Sequence, residues 1–195
     1  MFDRKNFIDS SLKESSEIKL EVLKHCYGDI TKAADMLVDA VKNGGKLLLC
    51  GNGGSAADCQ HIATEFMVRL SHDVKRKAIG AIALTTDSSN ITAGGNDIGF
   101  DNIFARNVEG LGRKGDVLIG ISTSGNSKNV MNAFAKAKEM GIKTIGLLGR
   151  TGGKMKSECD IAVCIPSDNV QRIQESHITV GHLWCEIVER ETISN

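Results

Sequence analysis

The sequence carries no net charge: 24 lysines and arginines balance 24 aspartates and glutamates in 195 residues. A protein that grips nucleic acid usually shows a basic footprint, so nucleic acid is not expected as the main ligand. No stretch approaches the ~18 consecutive apolar residues needed to cross a bilayer, so no membrane partner is expected either. The opening residues, MFDRKNFIDSSLKESSE, are too polar for a secretion signal, which points to the cytoplasm. The six cysteines, Cys26, Cys50, Cys59, Cys159, Cys164 and Cys185, form no C-x-x-C pair, which removes zinc-ribbon and thioredoxin-type sites. In the cytoplasm they are expected to be reduced, with Cys50 and Cys164 serving as small core residues of apolar strands. Proline occurs once, at Pro166, and no linker or low-complexity segment divides the chain. A single domain over 1–195 is the simplest organisation, and 41% hydrophobic residues suffice for its core.

Residues 4–43 read as helical, because Leu20, Leu23, Tyr27 and Ile30, then Ala33, Ala34, Leu37, Val38 and Val41, recur at helical spacing. Gly28 is expected to break this run into two helices, and Gly44-Gly45 to end the second. So long an arm (1–45) must pack on the sheet layer or on another subunit, which makes oligomerisation plausible. An alternation follows. Strand 46–50 leads through a glycine turn to a helix reaching about 70. Strand 79–84 leads into TTDSSNITAGGND, a polar loop or broken helix, and then a helix around 100–110. Strand 116–121 meets STSGNS and a helix to about 140. Strand 143–148 meets GRTGGKM and a short helix. Strand 161–165 ends at Pro166, and 170–192 form a long terminal helix. Alternating strands and helices imply an α/β fold with a central parallel sheet, covered on both faces. Continuous apolar strands such as KLLLC and DVLIG fit that burial.

Two glycine loops follow strands. GNGGS is neither a P-loop nor a clean dinucleotide motif, and no P-loop lysine is present, so nucleoside triphosphate hydrolysis is not expected. By itself it reads equally as a tight strand-to-helix turn. STSGNS is richer: Ser122, Thr123, Ser124 and Ser127 gather four hydroxyls around one glycine at a helix start. Together with free N–H groups they suit a phosphate monoester bound by dipoles. Capping of the helix by Asn126 or Ser127 explains one hydroxyl, not four. His61 and Glu65 lie at i, i+4 on one helix face just past the first loop, placed for proton transfer or metal binding, although such pairs are also common at surfaces. On the terminal helix Gln174 and His182 stand about 80° apart, at ~100° per residue. His177 lies between them, and helical geometry does not rank the two histidines. His25 and His72 sit in charged surroundings and read as solvated.

The segments GNGGSAADCQHIATE, ALTTD, GND, DVLIGISTSGNSKNV and RIQESHITVGH resemble the phosphoheptose isomerase family, which has the SIS (sugar isomerase) fold, over nearly the whole chain. The resemblance implies a three-layer αβα sandwich of SIS or flavodoxin-like type. It implies a homotetramer whose helical core uses the N-terminal arm, with active sites where subunits meet. Asn52, Gly53, Gly54 and Ser55 would line the sugar phosphate. Ser122, Thr123, Ser124 and Ser127 would hold its phosphate, and Asn96 and Asp97 would contact the sugar chain. Arg69 and Gln174 join the substrate-binding set. His61, Glu65, Gln174 and His182 match the family's zinc position, one zinc per subunit, which favours His182 over His177. Glu65 and His182 also match the residues for proton transfer, and Glu65 touches substrate. The implied reaction converts sedoheptulose 7-phosphate to D-glycero-D-manno-heptose 7-phosphate through an enediolate. That is the first step toward nucleotide-activated heptose for lipopolysaccharide or another surface glycan. Met67, Val68, Ile98, Asn169 and Val170 depart from the family pattern and bear on substrate preference.

Two other readings share part of this pattern. A related SIS protein without catalysis binds the replication initiator DnaA, but it departs at the last histidine of the zinc pattern, whereas His182 is present here. An SIS isomerase for another phosphosugar is disfavoured by the N-terminal arm and the zinc pattern.

Overall fold

The computed structural model describes residues 2–193. Five strands, β1 (Leu47–Gly51), β2 (Ala81–Ala83), β3 (Val117–Ser122), β4 (Lys143–Gly149) and β5 (Ile161–Ile165), form one sheet in the order β2-β1-β3-β4-β5. Every pairing is parallel. Strand residues alternate between two cores, because successive side chains in a strand point to opposite faces. Leu47, Leu49, Val117, Ile119, Ile121, Ile145 and Leu147 face one layer, with Trp184, Phe66, Ile62 and Leu37. Leu48, Cys50, Leu118 and Leu148 face the other, with Phe104, Val108, Val130 and Phe134. The first layer holds α1 (Arg4–Lys42), α2 (Gly54–Met67) and α6 (Val170–Thr192). The second holds α4 (Ile103–Leu111) and α5 (Lys128–Glu139). This is the expected αβα sandwich, and among the described residues no helix is long and apolar enough to cross a membrane.

The arm differs from expectation. α1 runs 39 residues without a break at Gly28, about 58 Å at the usual rise. One interior glycine costs only about 1 kcal/mol against alanine, and burial on either side of it outweighs that. Cys26, Ile30, Ala33, Ala34 and Leu37 bury against the sheet layer. The Trp184 indole of α6, itself fully buried, donates to the Ile30 carbonyl at 3.1 Å. Val38 is buried too, but Leu20, Leu23 and Tyr27 of the same stripe are exposed, as are Phe7, Ile8 and Leu12.

Four smaller corrections concern boundaries. The strand expected at 79–84 is only β2, an edge strand of three residues. The polar run TTDSSNITAGGND is α3 (Ser88–Asp97), started by the Asp87 carboxylate, which accepts from the Asn90 amide. A capping aspartate thus outweighs the two glycines inside. α2 stops at Met67 rather than near 70, and the short helix after GRTGGKM is a single 3₁₀ turn, Lys154–Ser157. The cysteines are free thiols; Cys50 is buried as expected, but Cys164 is only half-buried. Burial pushes the Cys26 and Cys159 thiols up to about 11, so neither is a ready nucleophile.

Candidate active site

In an open parallel sheet, ligands bind beyond the carboxyl ends of the strands, at the point where strand order reverses. Here the chain leaves β1 toward β2 on one side and returns as β3 on the other, so the crevice lies between β1 and β3. Both glycine loops emerge there: Asn52–Gly53 after β1 and Thr123–Ser127 after β3.

The first loop turns so sharply that Gly53 adopts φ +56°, ψ −121°, a conformation closed to side chains. Gly54 opens α2, and the Gln174 amide of α6 lies where a Cβ on Gly54 would stand. A side chain at position 54 would have to displace that amide. Asn52 is half-buried and Ser55 buried, while Gly53 and Gly54 are exposed at the crevice. The Asn52 side chain is paired reciprocally with Asn129 of α5, at 2.9 and 2.8 Å. This pair ties the first loop to the helix that begins the second.

In the second loop, Ser127 occupies the N-cap position of α5 yet makes no capping bond with its side chain. Its hydroxyl instead meets the Ser122 hydroxyl at 2.9 Å, and Ser122 also accepts from the Gly125 amide at 3.2 Å. Ser124 lies 3.5 Å from Ser122 and is exposed; Thr123 is half-buried. The Ser122 and Ser127 hydroxyls therefore face each other rather than capping the helix, and Ser124 accepts from the Asn126 amide at 3.2 Å, which leaves a polar cradle at a helix start.

α2 and α6 run side by side in the same direction, and their facing residues form the chemical part of the site. His61 Nε2 stands 2.8 Å from His182 Nε2 and 3.5 Å from Glu65 Oε1. One ligating atom from each of the three lies within 4.8 Å of the others. Two imidazole nitrogens and a carboxylate oxygen converging in this way suit a divalent cation such as zinc, which takes nitrogen and oxygen donors. Gln174 lies about two turns before His182 on the same helix, against Gly54.

His177 faces the other way. It is fully buried, its Nε2 pairs with the Leu148 carbonyl at 3.0 Å, and its Nδ1 is buried without a hydrogen-bond partner. Burial lowers its pKa to about 4, so it is a neutral core histidine.

Arg69 is exposed just beyond the end of α2. Asn96 and Asp97 end α3, exposed, with the Asn96 amide donating to the Asp97 carboxylate at 2.7 Å. That bond joins the two residues to each other and not to the His61–Glu65–His182 cluster. Met67, Val68 and Val170 are exposed and Ile98 half-buried. Asn169 caps α6 and donates to Glu14 of the arm. His25 and His72 are exposed, as expected.

Three further residues of this neighbourhood carry little or no signal in the sequence. Asn129 has a faint signal, since it directly follows the serine loop. Asp58, one turn before His61, has a buried carboxylate oxygen without a partner, and burial raises its pKa while His61 opposes the rise. Arg76 packs beneath Glu65 from a loop far along the chain and carries no local signal.

The fold and its two-loop crevice define an SIS-domain protein, and the SIS domain family model matches residues 12–149. A phosphoheptose isomerase of Clostridium acetobutylicum is 52% identical over 189 residues, covering 96% of this chain and 95% of the relative. The solved phosphoheptose isomerase of Neisseria gonorrhoeae superposes with TM-score 0.90 at 41% identity, over 96% of this chain and all of that one. That of Francisella tularensis gives 0.92 at 36%, over 97% and 100%. The chain belongs to the phosphoheptose isomerase family.

Proposed function

We propose that this chain isomerises sedoheptulose 7-phosphate to D-glycero-D-manno-heptose 7-phosphate, with Glu65 and His182 moving the protons. The observation that carries this reading is the convergence of His61, Glu65 and His182, in a chain whose second glycine loop also forms a serine-lined helix start. The Ser122, Thr123, Ser124 and Ser127 hydroxyls and the N-terminus of α5 receive the phosphate. Asn52, Gly53, Gly54 and Ser55 line the sugar, and Arg69, Asn96, Asp97 and Gln174 complete its contacts. The Glu65 carboxylate removes a proton from C1 of the ketose, leaving an enediolate, and returns it to C2. His182 carries the proton that must leave the C1 hydroxyl and reach the C2 oxygen, a task imidazole suits near neutral pH. The donor set of His61, Glu65, Gln174 and His182 would hold one zinc, which would supply positive charge to the developing oxyanion or organise these side chains.

The same reading makes the protein a cytoplasmic homotetramer with active sites at subunit interfaces. Association between copies is supported by a groove of about 460 Å³ between α1 and α6, lined by Leu23, Tyr27, Ile30, Leu183 and Ile187. Leu23, Tyr27 and Leu183 are exposed in the single chain. A DnaA-binding role without catalysis is not favoured, since His182 is present and faces His61.

The test is a product assay on sedoheptulose 7-phosphate beside fructose 6-phosphate, with and without chelator. Turnover of the heptulose alone, lost on chelation, is expected. Preference for the hexose phosphate, or no turnover of either, overturns the reading.

A further inference from the structure

The three facing residues of the site come from two helices, so their separation depends on how α2 and α6 are set against each other. That setting is marked at three heights. Gln174 lies against Gly54 at the top, and Gly181 presses on Ile62 in the middle, where a Cβ on Gly181 would stand 2.6 Å from that side chain. At the bottom the contact is ionic. The Glu189 carboxylate, fully buried on α6, accepts from the backbone amides of Leu70 at 2.9 Å and Ser71 at 3.1 Å, just past the end of α2. Arg76 donates to the same carboxylate through Nε at 2.9 Å and Nη2 at 2.7 Å. Its Nη2 also donates to the backbone carbonyl of Glu65 at 2.7 Å. That carbonyl lies in the last turn of α2, where a helix leaves its acceptors without internal partners.

We propose that Arg76 and Glu189 are a positioning pair for the reaction: they lock α2 to α6 and thereby hold Glu65 and His61 at their working distance from His182. The inference rests on the isomerase reading given above. Glu189 follows His182 by seven residues, so the two share one face of α6, about 10 Å apart along its axis. Arg76 is bonded at once to the residue that carries the base and to the helix that carries the imidazole. The bond to the Glu65 carbonyl extends the ion pair to the very turn of α2 that carries the base. Side chains that orient metal ligands and catalytic groups from behind typically cost 10–100-fold in metal affinity or activity when removed.

The test compares the full-length protein with Glu189→Gln, which opposes an amide N–H to the Arg76 and backbone donors. Arg76→Lys keeps the charge but not the fork. Asp116→Asn breaks a different buried pair, Lys46–Asp116, and serves as the stability control. Folding is checked by circular dichroism, and all assays run well below each melting temperature. Two readouts are taken: Zn²⁺ affinity by chelator competition, and kcat and KM on sedoheptulose 7-phosphate at saturating Zn²⁺. Glu189→Gln is expected to lose about 10–100-fold in Zn²⁺ affinity and in kcat, with KM within about twofold, and Arg76→Lys to fall between it and wild type. If Glu189→Gln does not fold, Arg76→Lys decides by the same criteria. A folded variant with wild-type Zn²⁺ affinity and kcat overturns the proposal. So does an Asp116→Asn protein that shows the same losses. A wild-type protein without turnover would fail the isomerase reading instead, leaving the Zn²⁺ comparison to judge the pair.

Discussion

At neutral pH His177 is an uncharged imidazole sealed between α6 and β4, and acid should weaken the protein through it. Its Nε2–H donates to the Leu148 carbonyl, which is possible in the neutral tautomer, while an N–H formed by protonating Nδ1 would have no acceptor. Burial lowers the folded-state pKa from 6.5 to about 4. The unfolded chain takes a proton as pH drops through 6.5; the folded chain resists until about 4. The stability His177 contributes is therefore present above 6.5, is lost as pH falls from 6.5 to 4, and changes no further below that. About 2.5 units at 1.36 kcal/mol each amounts to roughly 3 kcal/mol. The perturbation is His177→Leu, which removes the titrating group at the cost of one hydrogen bond to Leu148, about 1 kcal/mol at pH 7.5. Urea unfolding at fixed protein concentration, from pH 7.5 down to 4.5, measures both proteins. The variant should start less stable and end more stable, and the difference between the curves isolates His177 from the exposed histidines. A difference that stays constant within about 0.5 kcal/mol across that range would refute the reasoning.

Three further outcomes are expected. Gly54→Ala drives a Cβ into the Gln174 amide; turnover should fall at least tenfold while the melting temperature moves little, and unchanged kinetics would show that the amide simply swings aside. Asn129→Ala leaves the Asn52 amide without its two bonds, so KM for the phosphosugar should rise several-fold, read from initial rates, with kcat less affected. Trp184→Phe removes the donor to the Ile30 carbonyl and part of a fully buried indole, which should cost about 2–4 kcal/mol in chemical denaturation.

Much of this fold was legible because its strands are buried on both faces. KLLLC, DVLIG and KTIGLL read as continuous apolar runs, and all are strands here. The terminal helix, Val170–Thr192, matches its expected limits. Misreadings arose where a local signal was outvoted. Gly28 reads as a breaker in sequence, but flanking burial carries α1 through it. The glycines of TTDSSNITAGGND hid a helix that Asp87 starts. In the site, the i, i+4 pair of His61 and Glu65 was visible from spacing alone. His182 was not, because helical periodicity cannot say that His177 turns to the sheet and His182 to α2; family resemblance decided it. Arg76, Glu189 and Asn129 act through partners far away in sequence, across packing that local patterns do not encode. The exposure of Leu20, Leu23 and Tyr27 follows the same logic: spacing put them on one stripe but could not say what covers it.

The central claim is that Glu65 moves the proton between C1 and C2. Glu65→Gln keeps the size and shape of the side chain and removes its basicity. With the folded state verified by circular dichroism, turnover of sedoheptulose 7-phosphate by that variant is predicted to fall by about 10²–10⁴-fold, the usual worth of a general base. Near-wild-type turnover by the folded variant would contradict the assignment of Glu65 as the base.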